Sequence, residues 1–487
     1  MEIKTERKVI YGSAGTGKST YLIDKINYYS EKYNLNSKDF ILCSFTKTAS
    51  KVLADKSNLK IKNIGTIHSL CFQMCKFLPE YVIDNEKLKE FSKKYKYKFN
   101  FKNIENSETL LGDFYLALYN LAKSKMVTDL KKLYSESEKK GNLNQFIKFC
   151  DRYEEFKKEN NYIDYADMLD NAYNQYDLNA KVLIVDEAQD LSLLQWKIVY
   201  DWALNIPIVI IAGDDDQSIF EWAGARLNGM QEFEMAFDCE RVVLNKSFRL
   251  PVDVFKKSQN LIQNLENRVF KDFKPTDKQG TIKYYNNVLS IKNINYNDDV
   301  LILYRNHFFR LQIENQLIKL GLPYKIEGKN LGYCDSQEFR ALKIFLSLKN
   351  DKLKSYDLTE KQTKVMSKFF FSKHKNSDIN TVLLNDWETV FNFEYKKKKY
   401  LKSLVKLNQD LKFNYTIKLN TIHGAKGKEA ERVIIINSLG NKFSRFSKQK
   451  KETDIRVFYV ALTRTKNRLD IVNGDNSFRL ISNCGII

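Results

Sequence analysis

Cysteine, proline and glycine are scarce in this chain of 487 residues, which contains seven cysteines, five prolines and 18 glycines. Cys71 and Cys75 are the only close cysteine pair in the sequence. An i, i+4 pair on an apolar helix is more typical of a core than of a ligand set, so we expect neither disulfides nor a zinc site. The few prolines and glycines indicate no long flexible linker.

Long apolar runs are also absent. No stretch approaches the roughly 18 apolar residues of a membrane span, and residues 1–7 lack the pattern of a secretory signal. We therefore expect a soluble, cytoplasmic protein without a membrane partner. Positive charge is abundant, because 80 Lys and Arg residues against 60 Asp and Glu residues give a formal net charge of +20. This excess suits a polyanionic partner, although it is also compatible with the residue usage of an AT-rich genome.

Several of the glycines lie in one loop. Residues 12–19 fit the pattern G-x-x-x-x-G-K-[ST], between the apolar run Val9–Tyr11 and the helix-like segment Thr20–Tyr29. This strand, loop and helix context is typical of a P-loop that binds ATP through backbone N–H groups, Lys18 and an Mg²⁺ ion held by the Ser19 hydroxyl. A surface turn is the alternative, and the context disfavours it. The candidate nucleotide-binding residues are Gly12, Ser13, Ala14, Gly15, Thr16, Gly17, Lys18, Ser19 and Thr20.

A second polar cluster follows the apolar run Lys181–Val185, which reads as a strand buried on both faces. Asp186 comes directly after this run and is a candidate Mg²⁺ ligand. Glu187 is a candidate to polarise the water that attacks the γ-phosphate. Capping of the next helix, near Leu191, is the alternative role for these carboxylates.

These motifs and several others occur in the order found in superfamily 1 helicases of the UvrD/Rep/PcrA type, which the chain resembles from Tyr11 to Asp470. The additional matching segments are 45–49, 65–70, 164–169, 213–225, 244–249, 421–427 and 458–469. The resemblance implies an α/β fold with two RecA-like parallel-sheet ATPase cores and mostly helical insertions. It also implies a 3′ to 5′ DNA helicase with ATP and Mg²⁺ as cofactors.

The resemblance assigns roles around the nucleotide. Gln217 matches the residue that reads the γ-phosphate, and Arg249 and Arg464 match two arginines that come from opposite sides of the ATP cleft. A surface salt bridge is the alternative for Arg464. Phe248 matches an aromatic residue that stacks on adenine, and Glu429 matches a nucleotide-binding position.

The resemblance also implies contacts with single-stranded DNA. Phe220 and Trp222 match aromatic residues on which bases stack, and a core role is the alternative for Phe220. Residues 65–68 and 420–423 are similar in sequence, and both contain Thr-Ile-His. Two related cores that bind one DNA strand at equivalent positions would show such a repeat. A buried structural hydrogen bond is the alternative for either histidine. The remaining candidate DNA-binding residues are Thr46, Thr66, His68, Thr421, His423 and Lys426.

The alternation of strand-like and helical segments predicts four regions. Residues 1–70 and 160–250 form the first core, and 71–159 form a helical insertion. Residues 251–345 and 413–487 form the second core, interrupted by a reduced accessory insertion at 346–412. Strand candidates in the second core are Thr281–Tyr285, Val300–Tyr304, Arg432–Ile436 and Leu469–Val472.

Some positions depart from the family pattern. No glutamine precedes the P-loop, Ile67 stands where an aromatic residue is common, and Ala223 replaces an arginine. We expect a monomer or weak oligomer whose partners are single-stranded DNA, junctions of single- and double-stranded DNA, and replication or repair proteins. Two other functions remain open: a translocase that displaces proteins with little unwinding, and a DNA-binding scaffold switched by ATP. The motifs do not distinguish a DNA track from an RNA track.

Overall fold

The computed structural model describes residues 2–45, 53, 55–57, 59–101, 110–137, 141–173, 179–263, 265–327, 332–350, 352–439 and 448–473. The chain divides into two compact units. Unit 1 comprises Met1–Phe248 together with Leu265–Lys274, and unit 2 comprises Arg249–Asn264 and Pro275–Ile487. The chain therefore passes from unit 1 to unit 2, returns for a short segment, and passes to unit 2 again.

Unit 1 is built on a six-stranded sheet in the order β3-β2-β4-β5-β1-β6, and every pairing in it is parallel. Its strands are β1 Glu6–Gly12, β2 Phe40–Ser44, β3 Asn63–Gly65, β4 Val182–Asp186, β5 Ile208–Gly213 and β6 Glu240–Leu244. Because β4, β5 and β1 are neighbours, the loops that follow these three strands lie along one edge of the sheet.

Burial on both faces explains the nearly continuous apolar runs of the central strands. Val9 and Tyr11 of β1 pack into one hydrophobic cluster, together with Trp196 and Trp202. Ile10, between them, packs into the cluster on the opposite face. Because successive side chains of a strand point to opposite faces, β1 contributes to two cores, one on each side of the sheet.

Helices surround the sheet of unit 1 and form its insertion. The insertion has its own core, in which Phe91, Tyr115, Phe149 and Tyr153 are prominent. The helices of unit 1 whose bounds lie within the described residues are Lys18–Tyr33, Ile67–Met74, Asn85–Tyr95, Leu111–Ser124, Leu130–Glu136, Leu143–Glu159, Tyr165–Ala172, Leu193–Asn205 and Gly229–Ala236.

Unit 2 contains a second six-stranded parallel sheet, ordered β7-β12-β11-β8-β10-β9. Its strands are β7 Thr281–Tyr285, β8 Val300–Tyr304, β9 Lys325–Ile326, β10 Ile417–Thr421, β11 Ala430–Asn437 and β12 Thr465–Asn473. Its helices are Val252–Ile262, Phe308–Leu320, Gln337–Lys349, Glu360–Ser367, Ile379–Leu383, Trp387–Val390, Tyr395–Leu407 and Lys448–Leu462.

Residues 346–412, where described, pack into the core of unit 2. Phe391 and Leu401 belong to the same hydrophobic cluster as Val300 and Ile302 of β8. The small helices of this region are therefore packed as an extension of unit 2.

The two parallel sheets confirm the predicted fold class, and the four strand candidates of the second core are strands in the structure. The grouping of Leu265–Lys274 with unit 1 differs from the assignment of residues 251–345 to the second core. Within the described residues, no helix is both long and apolar enough to cross a membrane.

Candidate nucleotide and nucleic-acid site

The P-loop connects β1 to helix Lys18–Tyr33 through a tightly folded backbone. Gly15 and Gly17 adopt left-handed conformations with φ of 73° and 79°, which glycine tolerates without steric cost. The Lys18 ammonium donates to the Gly12 carbonyl at 2.7 Å, so its side chain crosses the loop. A Cβ on Gly12 would lie 2.5 Å from Lys18 Cγ, so a larger residue there would displace Lys18.

The chain following β6 packs directly on this loop. The Ser247 hydroxyl donates to the Ala14 carbonyl at 2.9 Å, and the Phe248 N–H donates to the Gly15 carbonyl at 2.8 Å. The Phe248 ring passes close to Gly17 but remains 71% exposed. Phe248 therefore offers an open aromatic face beside the P-loop, which suits its predicted stacking on a base.

The two acidic candidates lie where β4 ends. Asp186 is the last residue of the strand, and its carboxylate accepts the Glu187 N–H at 2.9 Å. Glu187 has φ of 55°, a left-handed conformation that costs a non-glycine residue roughly 1–3 kcal/mol. The backbone therefore leaves the strand conformation at Glu187, and the Glu187 carboxylate accepts a hydrogen bond from Gln189 at 2.6 Å.

Gln217 lies after the neighbouring strand β5, in the short 3₁₀ helix Asp215–Gln217. Its side-chain amide donates to Asp214 at 2.6 Å. The Asp214 N–H donates in turn to the Gln189 side chain at 3.0 Å, and the Gln189 amide donates to Glu187 at 2.6 Å. The structure thus links Glu187 and Gln217 through Gln189, a residue that the sequence analysis did not single out.

The residues at this edge fit a nucleotide with Mg²⁺ chemically. The Ser13 hydroxyl is buried and has no hydrogen-bond partner within the part of the chain that the structure describes. A phosphate oxygen would satisfy this donor. Ser19 and Asp186 provide the hard oxygen ligands that Mg²⁺ prefers.

Three consecutive carboxylates after β5 form a buried ion cluster, which shares Asp214 with the Gln189 network. Asp214, Asp215 and Asp216 all pair with Lys271, and Arg268 pairs with Asp216 at 2.8 Å. Burial alone would lower the pKa of Lys271, but the three carboxylates hold it above its ordinary value. Lys271 and Arg268 offset most of the charge of these three acids, and their ion pairs anchor the segment Leu265–Lys274 to the loop after β5.

The first threonine–histidine loop follows β3. The Thr66 hydroxyl accepts the Ser69 N–H at 3.2 Å and caps helix Ile67–Met74. His68 Nδ1 lies 3.4 Å from the Gln195 side-chain nitrogen, and burial lowers the pKa of His68 to about 4. His68 is therefore a neutral hydrogen-bonding group near pH 7.

Unit 1 also carries exposed and half-buried aromatic side chains near these motifs. Phe220 stacks on Phe45 with ring centroids 4.9 Å apart, and Trp222 meets Phe220 edge-on and is 65% exposed. Tyr165 is also 65% exposed and meets the His68 ring edge-on. Phe220 is only partly buried, so a pure core role does not fit it.

Unit 2 repeats the local geometry of the threonine–histidine loop. Thr421 ends β10, and its hydroxyl accepts the Gly424 N–H at 3.1 Å, three residues later, as Thr66 does for Ser69. Burial, with Arg305 and Lys426 nearby, lowers the pKa of His423 to about 4. The sequence repeat therefore corresponds to a repeated turn. The predicted DNA contact Thr46 lies outside the described residues.

The two candidate arginines lie close together in unit 2. Arg249 pairs with Glu429 at 2.5 Å and donates to the Thr463 carbonyl at 3.3 Å. Arg464 donates to the Thr463 hydroxyl at 3.1 Å and to the Val460 carbonyl at 2.9 Å. Arg464 is 2% exposed, which is inconsistent with a surface salt bridge. Arg249, Arg464 and Glu429 thus form one cluster, and the expectation that the two arginines come from opposite sides of the cleft is wrong, because both belong to unit 2 and both contact Thr463.

Gln189, Ser247 and Tyr165 are the main site residues that the sequence analysis did not assign. Each lies inside or beside a segment singled out above, since Gln189 follows Asp186 and Glu187, Ser247 lies within 244–249 and Tyr165 lies within 164–169. Their places in or beside these segments are the only sequence signal for them. The segments alone do not show which side chains contact one another.

Known proteins resemble this chain in both halves. Residues 2–238 match the UvrD/REP helicase N-terminal domain, and residues 398–474 match the UvrD-like helicase C-terminal domain. A probable DNA helicase II homolog of Mycoplasma capricolum is 23% identical, over 66% of this chain and 49% of the relative. The DNA helicase II of Haemophilus influenzae is 26% identical, over 43% of this chain and 32% of the relative.

Another relative is similar over most of its length. A probable DNA helicase II homolog of Mycoplasma genitalium is 23% identical, over 95% of this chain and 82% of the relative. The chain spans about half the length of the M. capricolum relative and about a third of the H. influenzae relative. Since the two domain models match in order and the motifs lie at the expected strand ends, the chain belongs to the UvrD/Rep family of superfamily 1 helicases.

Proposed function

We propose that this chain is an ATP-dependent DNA helicase that moves 3′ to 5′ along single-stranded DNA and unwinds duplex at its junctions with single strands. The observation that carries this proposal is the common edge of the first sheet, where β1, β5 and β4 end in the P-loop, the Gln217 loop and Asp186–Glu187. A P-loop beside two such strand ends is the arrangement that nucleotide hydrolysis requires.

Hydrolysis depends on positioned charge in this proposal. The P-loop amides and Lys18 hold the phosphates, and Ser19 and Asp186 would hold Mg²⁺, which supplies charge neutralisation when bound. Glu187 orients the attacking water and accepts its proton, while Gln217 contacts the γ-phosphate. Arg249 and Arg464 stabilise the charge that develops on the transferred phosphoryl group.

Movement on DNA depends on two kinds of contact. Trp222 and Phe220 stack on bases, a contact worth about 1–3 kcal/mol per base that tolerates any sequence. The loops that begin at Thr66 and Thr421 bind the phosphate backbone, with neutral His68 and His423 as hydrogen-bond donors. Cycles of ATP binding and hydrolysis would alternate the grip of these loops. The direction of movement follows from the family resemblance.

Steady-state ATP hydrolysis, with and without single-stranded DNA at low and moderate salt, tests the coupling. We expect strong stimulation by DNA that weakens as salt rises. DNA binding without stimulated hydrolysis would favour the ATP-switched scaffold.

Duplexes with a 3′ or a 5′ single-stranded tail test unwinding and direction. Strand separation of the 3′-tailed duplex alone supports the proposal. Stimulated hydrolysis that displaces a bound protein without separating strands would favour the translocase, and unwinding of the 5′-tailed duplex would contradict the direction.

A further inference from the structure

The Gln189 side chain occupies a buried position between the ends of β4 and β5. Its nitrogen donates to Glu187 Oε2 at 2.6 Å and to Asp190 Oδ2 at 3.3 Å, and its oxygen accepts the Asp214 N–H at 3.0 Å. Gln189 is only 1% exposed. We propose that Gln189 is a positioning residue, which fixes the Glu187 carboxylate for water activation and ties it to the Gln217 loop.

The chemistry of these contacts requires a neutral amide. The group facing Glu187 must donate a hydrogen bond, while the group facing the Asp214 N–H must accept one. A glutamine side chain performs both tasks at once, whereas a carboxylate only accepts and an ammonium only donates. A hydrogen bond that a carboxylate accepts is charge-assisted and therefore among the stronger kinds.

The packing around Gln189 leaves it little freedom. A Cβ on Gly213 would lie 2.4 Å from the Gln189 oxygen and 2.6 Å from Met230 Sδ, so glycine is needed for the amide to fit against β5. The Gln189 carbonyl accepts the Ser218 hydroxyl at 2.9 Å, which fastens its backbone to the same loop. Because both its backbone carbonyl and its side-chain amide are held, Gln189 can fix the orientation of the Glu187 carboxylate.

The same contacts connect Glu187 to Gln217. Gln217 donates to the Asp214 carboxylate at 2.6 Å, and the Asp214 N–H is held by Gln189. A shift of Gln217 on meeting the γ-phosphate would therefore reach Glu187 through two hydrogen-bonded residues. Gln189 thus makes the orientation of the general base depend on the state of the loop that contacts the phosphate.

This inference rests on the proposed ATPase function and is tested by Gln189→Met in the full chain. Methionine has similar length and volume but cannot donate to Glu187 or accept from Asp214. Misplacement of a catalytic group by about 1 Å can cost on the order of 100-fold in rate, so we expect kcat to fall roughly 10- to 100-fold. The Kd for a fluorescent, non-hydrolysable ATP analogue should change less than about threefold, because the P-loop contacts are untouched.

Gln316→Met provides the matched control. Gln316 is likewise buried, and its side-chain nitrogen donates to the Leu289 and Ile291 carbonyls in unit 2. This variant should lose thermal stability but keep the kcat of the original chain. An equal fall of kcat in both variants would show a general packing effect and overturn the inference.

Gly213→Ala moves the Gln189 amide while position 189 remains glutamine. This variant tests the positioning role if Gln189→Met does not fold. Its added methyl group should displace the Gln189 amide and lower kcat while leaving nucleotide affinity intact. A folded variant of either kind with kcat within twofold of the original, or with its loss confined to KM, would overturn the positioning role. Absence of hydrolysis in the unaltered chain would instead overturn the proposed function.

Discussion

Replacement of Glu187 by glutamine tests the proposed chemistry most directly. The change keeps the size of the side chain but removes the base. Gln189 donates to Glu187 at 2.6 Å, and the carboxamide oxygen of Gln at this position can accept the same hydrogen bond. The geometry at the end of β4 should therefore survive, so the variant isolates the loss of proton acceptance.

The expected loss follows from the usual contribution of a positioned base. General base catalysis contributes roughly 10²- to 10⁴-fold, which corresponds to about 3–5 kcal/mol of transition-state stabilisation. We expect kcat for ATP hydrolysis to fall by this factor. The Kd for ATP should change less than about threefold, because Lys18 and the P-loop amides are the groups that hold the phosphates.

Single-turnover hydrolysis and nucleotide binding should be measured on the same preparation. Glu240→Gln is the control, since Glu240 is a surface residue of β6 that pairs with Lys8 at 2.8 Å. Loss of a surface pair costs at most about 1 kcal/mol, so the control should hydrolyse ATP normally. Residual hydrolysis by Glu187→Gln within tenfold of the original chain would refute the assignment of Glu187 as the base.

Three further predictions concern DNA, stability and pH. Trp222→Ala should weaken single-stranded DNA binding by about 1–3 kcal/mol in a fluorescence anisotropy titration without changing ATP affinity, and unchanged DNA affinity would remove Trp222 from the interface. Lys271→Met should destabilise unit 1 by about 3–5 kcal/mol in urea unfolding, because three buried carboxylates lose their shared cation; an unchanged midpoint would contradict the anchoring role. Burial lowers the pKa of His68 and His423 to about 4. Between about pH 4 and pH 6.5 the folded chain therefore binds fewer protons than the unfolded chain. The free energy of unfolding should fall as the pH falls through that window. Urea midpoints from pH 7 to pH 4.5 should fall less steeply for His68→Phe, and an identical slope would argue against burial of this imidazole.

The central strands and the phosphate-binding loop were predictable because local sequence determines them. β4 and β5 are buried on both faces, so their apolar runs stand out, and the P-loop pattern carries its own glycines and lysine. β3 and β9 have three and two residues, too few for a periodic signal, and they depend on pairing with β2 and β10. Short edge strands of this kind are defined by their neighbours.

Contacts between distant segments were not predictable in the same way. Lys271 meets Asp214, Asp215 and Asp216 more than fifty residues earlier in the chain, and nothing in the local pattern around Lys271 marks that partnership. The clustering of Arg249 with Thr463 likewise depends on the fold of unit 2. The sequence therefore predicts candidate catalytic groups, but it does not indicate which residues contact and orient them.

The return of Leu265–Lys274 to unit 1 has a consequence for dividing this protein into fragments. A fragment that ended at Phe248 would contain the whole first sheet but would lack Lys271 and Arg268. Asp214, Asp215 and Asp216 would then be solvated or protonated. The loop that bears Gln217 would lose the two cations that hold these aspartates in place. A cut after Lys274 would keep both segments of unit 1 but would separate Arg249–Asn264 from the rest of unit 2. Because the two units exchange segments along the chain, no single cleavage yields both units with all their residues.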